Sequence, residues 1–175
     1  MPVCVQTIVF VGDFPRCQRD YSLLNSVKTS NCSVTMIKIT PNIDYAFALA
    51  LSRSNMADYY ARHGMVWDDP CYARFWAASE NIGLYQAQRC VGLVRLNTSD
   101  KICHLADLQV IPDVQGQGVG SYALDYMRQL AKIRGKQSMR LLVFIDNPVR
   151  EFYQRCGFRI LEQQGVFYYM ECELG

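Results

Sequence analysis

The sequence predicts a mixed α/β fold in which helices flank one mostly antiparallel sheet. Three observations support this prediction. The hydrophobic spacing alternates between strand and helix periods in the order β-α-α-β-β-β-α-β-α-β-β. Residues 139–145 form an apolar run typical of a strand buried on both faces. No segment repeats another, so a solenoid is not indicated.

The bulk composition indicates a globular protein. The chain has 175 residues, of which 50% are hydrophobic and 19% are charged. Its net charge of +2 is too small to favour nucleic acid or an anionic membrane surface as a partner. No apolar stretch reaches the roughly 18 residues that a membrane span needs. We therefore expect neither nucleic acid nor membrane as a partner, and a cytoplasmic location.

The cysteines do not predict a metal centre. All eight are scattered along the chain, without the close spacing of ligand pairs seen in zinc sites. A short secreted chain would favour disulfides, but this chain is neither short nor preceded by a signal peptide pattern. We expect reduced thiols that act as small core residues, and no bound metal.

The pattern divides the chain into two parts. Residues 12–33 are rich in Gly, Pro, Asn, Ser and Thr, and their periodicity is weak. Regular alternation starts near position 36. The sequence thus predicts a peripheral extension over residues 1–35 and a domain over residues 36–175.

The elements of the domain follow from periodicity and boundary residues. In the first half we predict a strand at 36–40, helices at 43–62 and 68–78, and strands at 81–88, 90–97 and 101–111, with a turn near Gln88-Arg89. In the second half we predict a helix after the glycines, a strand at 139–145, a helix at 148–156 capped by Asn147, and strands at 158–162 and 166–174. The apolar face of the first of these helices comprises Val119, Ala123, Tyr126, Met127, Leu130 and Ile133.

A glycine-rich loop lies between the strand at 101–111 and the next helix. Gly116, Gly118 and Gly120 alternate just before the helix, where backbone N–H groups and the positive end of the helix dipole favour an anion. A P-loop is excluded because the lysine of its motif is missing. A dinucleotide site stays open, since residues 118–123 match G-x-G-x-x-A, although six residues separate Gly118 from the preceding strand.

Two motifs together resemble the GNAT acyltransferase superfamily. Residues 115–120 have the form Q/R-x-x-G-x-G/A. Residues 146–158 are similar to the second pattern of that family, Asn-x-x-Ala-x-x-Phe-Tyr-x-x-x-Gly-Phe, although Asp146 stands where Asn is usual. The resemblance implies an acetyl-CoA-dependent N-acetyltransferase. It also implies a sheet with a V-shaped splay between the strands at 101–111 and 139–145.

The resemblance also implies where acetyl-CoA binds. The backbone of Leu108, Gln109 and Val110 would pair with the pantetheine arm. Asn147 and Phe152 would add contacts from the second motif. The pyrophosphate would be held by the loop and first helical turn, namely Gln115, Gly116, Gln117, Gly118, Val119, Gly120 and Ser121.

Two catalytic residues are implied as well. Tyr153 matches the tyrosine that protonates the departing thiolate in this family. Asp107 is the expected base, in a segment similar to the diamine acetyltransferase branch, where Ala106 replaces the usual glutamate. A water relay is the alternative. His104 is another, two residues from Ala106 and therefore expected on the same strand face.

The acceptor is predicted less sharply. Aromatic and acidic residues gather in the first two helices, where they either cage a cationic amine or serve as core residues and helix caps. They are Tyr59, Tyr60, His63, Trp67, Asp68, Asp69, Phe75, Trp76 and Glu80. A small amine or polyamine is favoured over a peptide acceptor, and a homodimer stays open. The alternative functions are an inactive acyl-CoA sensor and a dinucleotide-binding protein.

Overall fold

The computed structural model describes residues 37–41 and 43–175. The predicted extension over residues 1–35, and position 36 where the domain was expected to start, lie outside the described residues.

The predicted order of elements is confirmed. The first half contains β1 (Ile37–Thr40), α1 (Tyr45–Arg62), α2 (Asp69–Ala78), β2 (Glu80–Gln86), β3 (Arg89–Thr98) and β4 (Ile102–Val110). The second half contains α3 (Val119–Ile133), β5 (Ser138–Phe144), α4 (Val149–Arg155), β6 (Arg159–Gln164) and β7 (Phe167–Glu173). A short 3₁₀ turn, Pro112–Val114, precedes the glycine loop and was not predicted.

The strands form one seven-stranded sheet in the order β1-β2-β3-β4-β5-β7-β6. In the described sheet, β4 and β5 pair in parallel and the other neighbouring strands pair antiparallel. The mixed, mostly antiparallel sheet flanked by helices is thus confirmed. This sheet lacks the run of parallel βαβ units that a dinucleotide-binding domain requires, so that interpretation of residues 118–123 is set aside.

Local chemistry explains where the helices begin. Asp44 precedes α1, and its Oδ1 accepts a hydrogen bond from the backbone N–H of Phe47 at 2.7 Å. Asp68 caps α2 in the same way, with 2.8 Å from the N–H of Cys71 to Oδ1. Both carboxylates satisfy donors that the first helical turn leaves unpaired.

Two details differ from the sequence prediction. The turn between β2 and β3 falls at residues 87–88, one position earlier than expected, with Ala87 at a φ of 54°. Ile133, predicted on the apolar face of α3, is 45% exposed because it lies in the final turn, whereas Ala123, Met127 and Leu130 are fully buried.

The core fills the space between the sheet and its helices. Ala48 and Leu51 of α1 and the buried face of α3 pack into one cluster with the strands. The cysteines of the described part, at positions 71, 90, 103, 156 and 172, are all free thiols. Among the described helices, none is long and apolar enough to cross a membrane.

Candidate active site

The sheet opens between β4 and β5. The two strands pair only over residues 102–104 and 138–140. Beyond that point β4 continues beside β3 as far as Val110, while β5 continues beside β7 as far as Phe144. The V-shaped splay that the sequence predicted is therefore present, and the facing edges of the two strands leave room for an extended chain to pair with their backbone.

The backbone of β4 alternates in direction along the splay. The N–H of Ile111 bonds to Val91 of β3, so Ile111 and Gln109 direct their peptide groups towards β3. A Cβ placed on Gly92 would lie 2.3 Å from the carbonyl oxygen of Gln109, which confirms this direction. Leu108 and Val110 therefore turn their peptide groups towards the opening, whereas Gln109, expected to do the same, does not.

Two side chains bind the backbone at the C-terminal end of β4. The carbonyl oxygen of Val110 accepts hydrogen bonds from Asn55 Nδ2 at 3.2 Å and from Gln115 Nε2 at 2.9 Å. Gln115 thus ties the glycine loop to the strand. This is a structural role for a side chain that the sequence pattern indicated only as a loop position.

The glycine loop has the geometry of an anion cradle. Gly116 and Gly118 have φ values of 75° and 86°, which lie in the left-handed region that favours glycine. A Cβ on Gly116 would meet no protein atom within 4 Å, so the space beside it is open. Gly118 precedes α3, and the N–H groups of Val119, Gly120 and Ser121 belong to its first turn, where helices leave donors unpaired.

A β-bulge in β4 determines which residues meet beside the splay. Leu96 pairs with Leu105 and Arg95 pairs with Asp107, so Ala106 is the extra residue. Strict alternation would place His104 with Ala106 and opposite Asp107. The bulge instead places Asp107 on the same face as Arg95, and the pairing of His104 with Asn97 places His104 on that face as well.

Asp107 is buried among polar partners. It is 2% exposed. Gln109 Nε2 donates to its Oδ1 at 2.7 Å, and Ser52 Oγ and Arg95 Nη2 each donate to Oδ2 at 3.2 Å. Ser52 also shares a 3.2 Å hydrogen bond with the hydroxyl of Tyr72. Residues from α1, β3 and β4 thus converge on a single carboxylate, and Tyr72 of α2 is linked to it through Ser52.

Burial shifts the pKa values of the two candidate bases in opposite directions. Burial raises the pKa of Asp107, and the charge of Arg95 and the hydrogen bonds from Gln109 and Ser52 oppose this rise. Burial, helped by the charge of Arg140, lowers the pKa of His104 to about 4. A raised carboxylate pKa strengthens Asp107 as a base, whereas the lowered pKa weakens His104.

Asp107 and Arg95 line a cavity of about 220 Å³ between α1, α2 and the sheet. Its walls are largely aromatic and thioether side chains, and it opens near Val66, which is 87% exposed. The lining residues are Ser52, Met56, Tyr60, Met65, Val66, Trp67, Asp68, Cys71, Tyr72, Phe75, Arg95, Asp107 and Phe167.

The structure sorts the predicted acceptor residues. Tyr60, Trp67, Asp68 and Phe75 line the cavity. The others have structural partners: Glu80 forms a bidentate ion pair with Arg134, Trp76 packs against Tyr45 and Tyr72, and Tyr59 stacks on Phe144. Asp69 accepts a hydrogen bond from Trp67, and His63 contacts Asp146.

Arg95, Ser52 and Tyr72 were not predicted from the sequence. Arg95 is one charge in an apolar strand, and only its pairing register with β4 reveals its partner.

The second motif connects β5 to α4. Asp146 binds Arg62 and His63 at the end of α1; burial raises its pKa, but these two partners lower it below the ordinary value overall. Asn147 Oδ1 accepts from the N–H of Val149 at 2.9 Å, so this residue caps α4 as predicted.

Tyr153 and Phe152 lie on α4, directly after the arm of the splay formed by β5. Tyr153 has no exposed surface, and its ring centroid lies 5.6 Å from that of Phe158. Phe152 is half-buried against the same core.

Comparison with known proteins identifies the family. The model described as "Acetyltransferase (GNAT) family" matches residues 48–158, which is more than half of the chain. The chain belongs to the GNAT family. It is an acyltransferase of that type. A comparison with curated proteins finds no match.

Solved GNAT structures share the fold. The PaiA N-acetyltransferase of Thermoplasma acidophilum, solved with coenzyme A, has a TM-score of 0.65 and 19% identity over 79% of this chain and 99% of its own. The ribosomal-protein-S18-alanine N-acetyltransferase of Escherichia coli has a TM-score of 0.61 and 18% identity over 80% of this chain and 95% of its own. A GNAT acetyltransferase of Elizabethkingia anophelis with acetyl-CoA bound has a TM-score of 0.62 and 16% identity over 78% of this chain and 97% of its own.

Proposed function

We propose that this GNAT protein transfers the acetyl group of acetyl-CoA to a small primary amine, by direct attack within a ternary complex. The observation that carries the proposal is the splay between β4 and β5, together with the glycine loop that follows β4 and the buried carboxylate of Asp107 in the cavity. The CoA and acetyl-CoA bound to two of the structural neighbours support the choice of cosubstrate.

The described residues fit acetyl-CoA. The peptide groups of Leu108 and Val110 face the opening, where they would pair with the amides of the pantetheine arm; the carbonyl of Val110 would then be shared with Asn55 and Gln115. The N–H groups of residues 116–121 would hold the pyrophosphate. The loop carries no cationic side chain, so its affinity for phosphate would come from backbone donors and the α3 dipole.

Asp107 is our proposed base. A primary amine is mostly protonated near neutral pH and must lose a proton before or during its attack. Asp107 accepts that proton, directly or through one water, because its raised pKa brings the carboxylate closer to the operating pH than an ordinary aspartate. Tyr60 and Tyr72 stay protonated, since burial raises their pKa values as well.

The transfer itself balances without a cofactor other than acetyl-CoA. The amine nitrogen attacks the thioester carbonyl carbon, the C–N bond forms and the C–S bond breaks. The electron pair leaves with sulfur, and we assign Tyr153 as the acid that protonates it. The position of Tyr153 on α4, the helix that follows β5, supports this role.

The size of the cavity supports a small acceptor. Its volume of about 220 Å³ lies below the roughly 300–1,000 Å³ that is usual for sites holding drug-sized ligands. A folded protein acceptor would have to place its amine through this space. Asp68 at the rim and the aromatic walls suit an amine that enters as a cation.

Thiol release from acetyl-CoA across a panel of primary amines tests the proposal. We expect acetyl-CoA and CoA, but not NAD or NADP, to raise the melting temperature, and at least one small amine to drive thiol release. Stabilisation by acetyl-CoA with no turnover on any amine would instead favour the acyl-CoA sensor. Stabilisation by NAD or NADP alone would contradict the proposal.

A further inference from the structure

Arg95 is a buried cation with unused hydrogen-bonding capacity. Its side chain is 1% exposed, and its guanidinium lies over the ring of Tyr72 at 4.6 Å from the centroid. One nitrogen, Nη2, donates to Asp107. Among the described residues, Nε and Nη1 have no hydrogen-bond partner. Leaving donors of a charged group unpaired in a buried position costs free energy, so such donors call for an acceptor.

The surroundings show where that acceptor would come from. Arg95 lines the same cavity as Asp107, and both are almost fully buried, whereas Val66 and Asp68 in the same lining are exposed; Arg95 and Asp107 therefore mark its buried end. The other lining residues of this end are the rings of Tyr60 and Tyr72, the hydroxyl of Ser52 and the thioether of Met56. Ser52 already donates to Asp107. Since Arg95 lines this cavity, a molecule bound there would supply the anionic or carbonyl oxygen that Nε and Nη1 lack.

The pair Arg95 and Asp107 has the charges needed for a zwitterion. Their side chains are 3.2 Å apart, one positive and one negative, on neighbouring strands. An α-amino acid carries its ammonium and its carboxylate on one carbon, so the two groups are similarly close. Asp107 would face the amine, and Arg95 would face the carboxylate through charge-assisted hydrogen bonds.

We propose that the acceptor is a free α-amino acid with an apolar or aromatic side chain, whose carboxylate is bound by Arg95. The side chain would lie against Tyr60, Trp67, Phe75 and Phe167, which are apolar or aromatic walls of the cavity. The unbranched chains of Met56 and Met65 allow these walls to adjust to the ligand. This inference rests on the proposed acetyl transfer and names its substrate class.

A polyamine fits this end of the cavity poorly. It brings further positive charge and no oxygen, so it would leave Nε and Nη1 of Arg95 unpaired and repel the guanidinium. Its cationic groups would be confined to the rim, where Asp68 and Asp69 lie. The chemistry of Arg95 therefore distinguishes the two acceptor classes.

The test compares matched acceptors on the wild-type enzyme. Leucine, leucinamide and isopentylamine form one series, and phenylalanine, phenylalaninamide and phenethylamine form the other. We expect kcat/KM for each amino acid to exceed that of its decarboxylated amine at least about a hundredfold, since a site built to bind a polar group rejects analogues that lack it. Each amide should fall between the two.

Three results would overturn the inference. One is equal or faster acetylation of the decarboxylated amines. Another is equal acetylation of the amides, which would show that a carbonyl suffices. The third is turnover on a diamine with none on either amino acid. In all three the proposed acetyl transfer would stand, whereas turnover on no amine at all would show that the proposed function itself fails.

Arg95→Gln supplies the second measurement. Whatever its absolute rate, its ratio of kcat/KM for leucine over isopentylamine should fall towards one. Ser52→Ala, which alters Asp107 without touching the carboxylate donors, should keep the wild-type ratio. An unchanged ratio in a folded Arg95→Gln protein contradicts the inference. Should that variant fail to fold, the comparison of acceptors on the wild type still decides the question.

Discussion

At the scale of single residues, Asp107 shows how one inserted position changes the chemistry of a strand. The sequence predicted Asp107 as a base but gave it no partners. The bulge at Ala106 turns its carboxylate to the face that carries Arg95, between α1 and α2. There, burial raises its pKa and Arg95 limits the rise. A raised pKa makes the carboxylate a stronger base, which is what proton abstraction from an amine needs.

The pH dependence of turnover tests this view of Asp107. The charge of Arg95 lowers the pKa of Asp107, so Arg95→Gln should raise it and move the ascending limb of kcat against pH to higher pH. Ser52→Ala removes a weaker opposing contact and should move the limb in the same direction by less. The profiles of the two variants and of the wild type are recorded with the same amine at saturation. Protonation of the free amine then affects all three profiles equally. If the ascending limbs of both variants coincide with that of the wild type, Asp107 is not the base.

Tyr153 allows a separate test of the proton donor. Tyr153→Phe removes only the hydroxyl and keeps the ring that packs against Phe158. We expect kcat to fall by about 10²–10⁴-fold, the usual contribution of a positioned general acid, with little change in the dissociation constant for acetyl-CoA. Turnover near the wild-type rate would exclude Tyr153 from the mechanism.

At the scale of elements, the glycine loop and the β3–β4 pair shape the cofactor side. Gly116 and Gly118 adopt left-handed conformations, and Gln115 anchors the loop to the end of β4, so the loop is held in the shape that we propose binds the pyrophosphate. Gly92 lets β3 approach Gln109 so closely that a side chain has no room. The loop and the close strand contact thus both hold β4, one arm of the splay.

A pair of glycine substitutions separates binding from backbone strain. Gly116 and Gly165 both have positive φ, and a Cβ on either would meet no protein atom within 4 Å. Alanine should therefore destabilise both variants to a similar extent, about 1–2 kcal/mol. Only Gly116→Ala should weaken CoA binding, by about tenfold or more, because the added methyl group would occupy the open space beside the proposed pyrophosphate loop. Isothermal titration measures this, and equal affinities in the two variants would contradict the cradle.

Gly92 tests the packing of the sheet itself. In Gly92→Ala the new Cβ would lie 2.3 Å from the carbonyl oxygen of Gln109, a backbone atom that cannot move aside freely. The strands must separate, so we expect a loss of about 2–4 kcal/mol in the free energy of unfolding, within the range of overpacking and strain effects. Urea denaturation measures it. A change below about 0.5 kcal/mol would contradict the described contact.

At the scale of the whole molecule, the order of elements and the mostly antiparallel sheet could be predicted from the sequence, and the splay was implied by the resemblance to the GNAT family. Periodicity and the two motifs are local signals, and they place Gly116, Gly118 and Tyr153 directly. The cavity could not be predicted, since it depends on registers between distant strands. Arg95, Ser52 and Tyr72 meet Asp107 only after folding. The sequence likewise does not reveal that Glu80 is buried and paired with Arg134, which lies 54 positions later in the chain.

The stability of the fold should depend on pH through His104. Its pKa is lowered from 6.5 to about 4, first by burial and then by the charge of Arg140. A lowered native pKa means that the unfolded chain binds the proton first. Stability is therefore full above about pH 6.5 and declines towards pH 4, by at most about 3 kcal/mol.

His104→Asn should remove that decline, since the side chain no longer titrates. Denaturant unfolding at pH 7 and at pH 5 gives the free energy of unfolding of the variant and of the wild type. The loss of stability between these values should be smaller in the variant than in the wild type, and equal losses would show that other groups are responsible.

The central claim is direct acetyl transfer from acetyl-CoA to an amine at the splayed sheet. Its most direct test measures released thiol and N-acetylated product in the same reaction, by a thiol reagent and by mass spectrometry. We predict equal amounts of the two, both dependent on amine and enzyme. Acetyl-CoA binding with no thiol release, or thiol release with no acetylated amine, would contradict it.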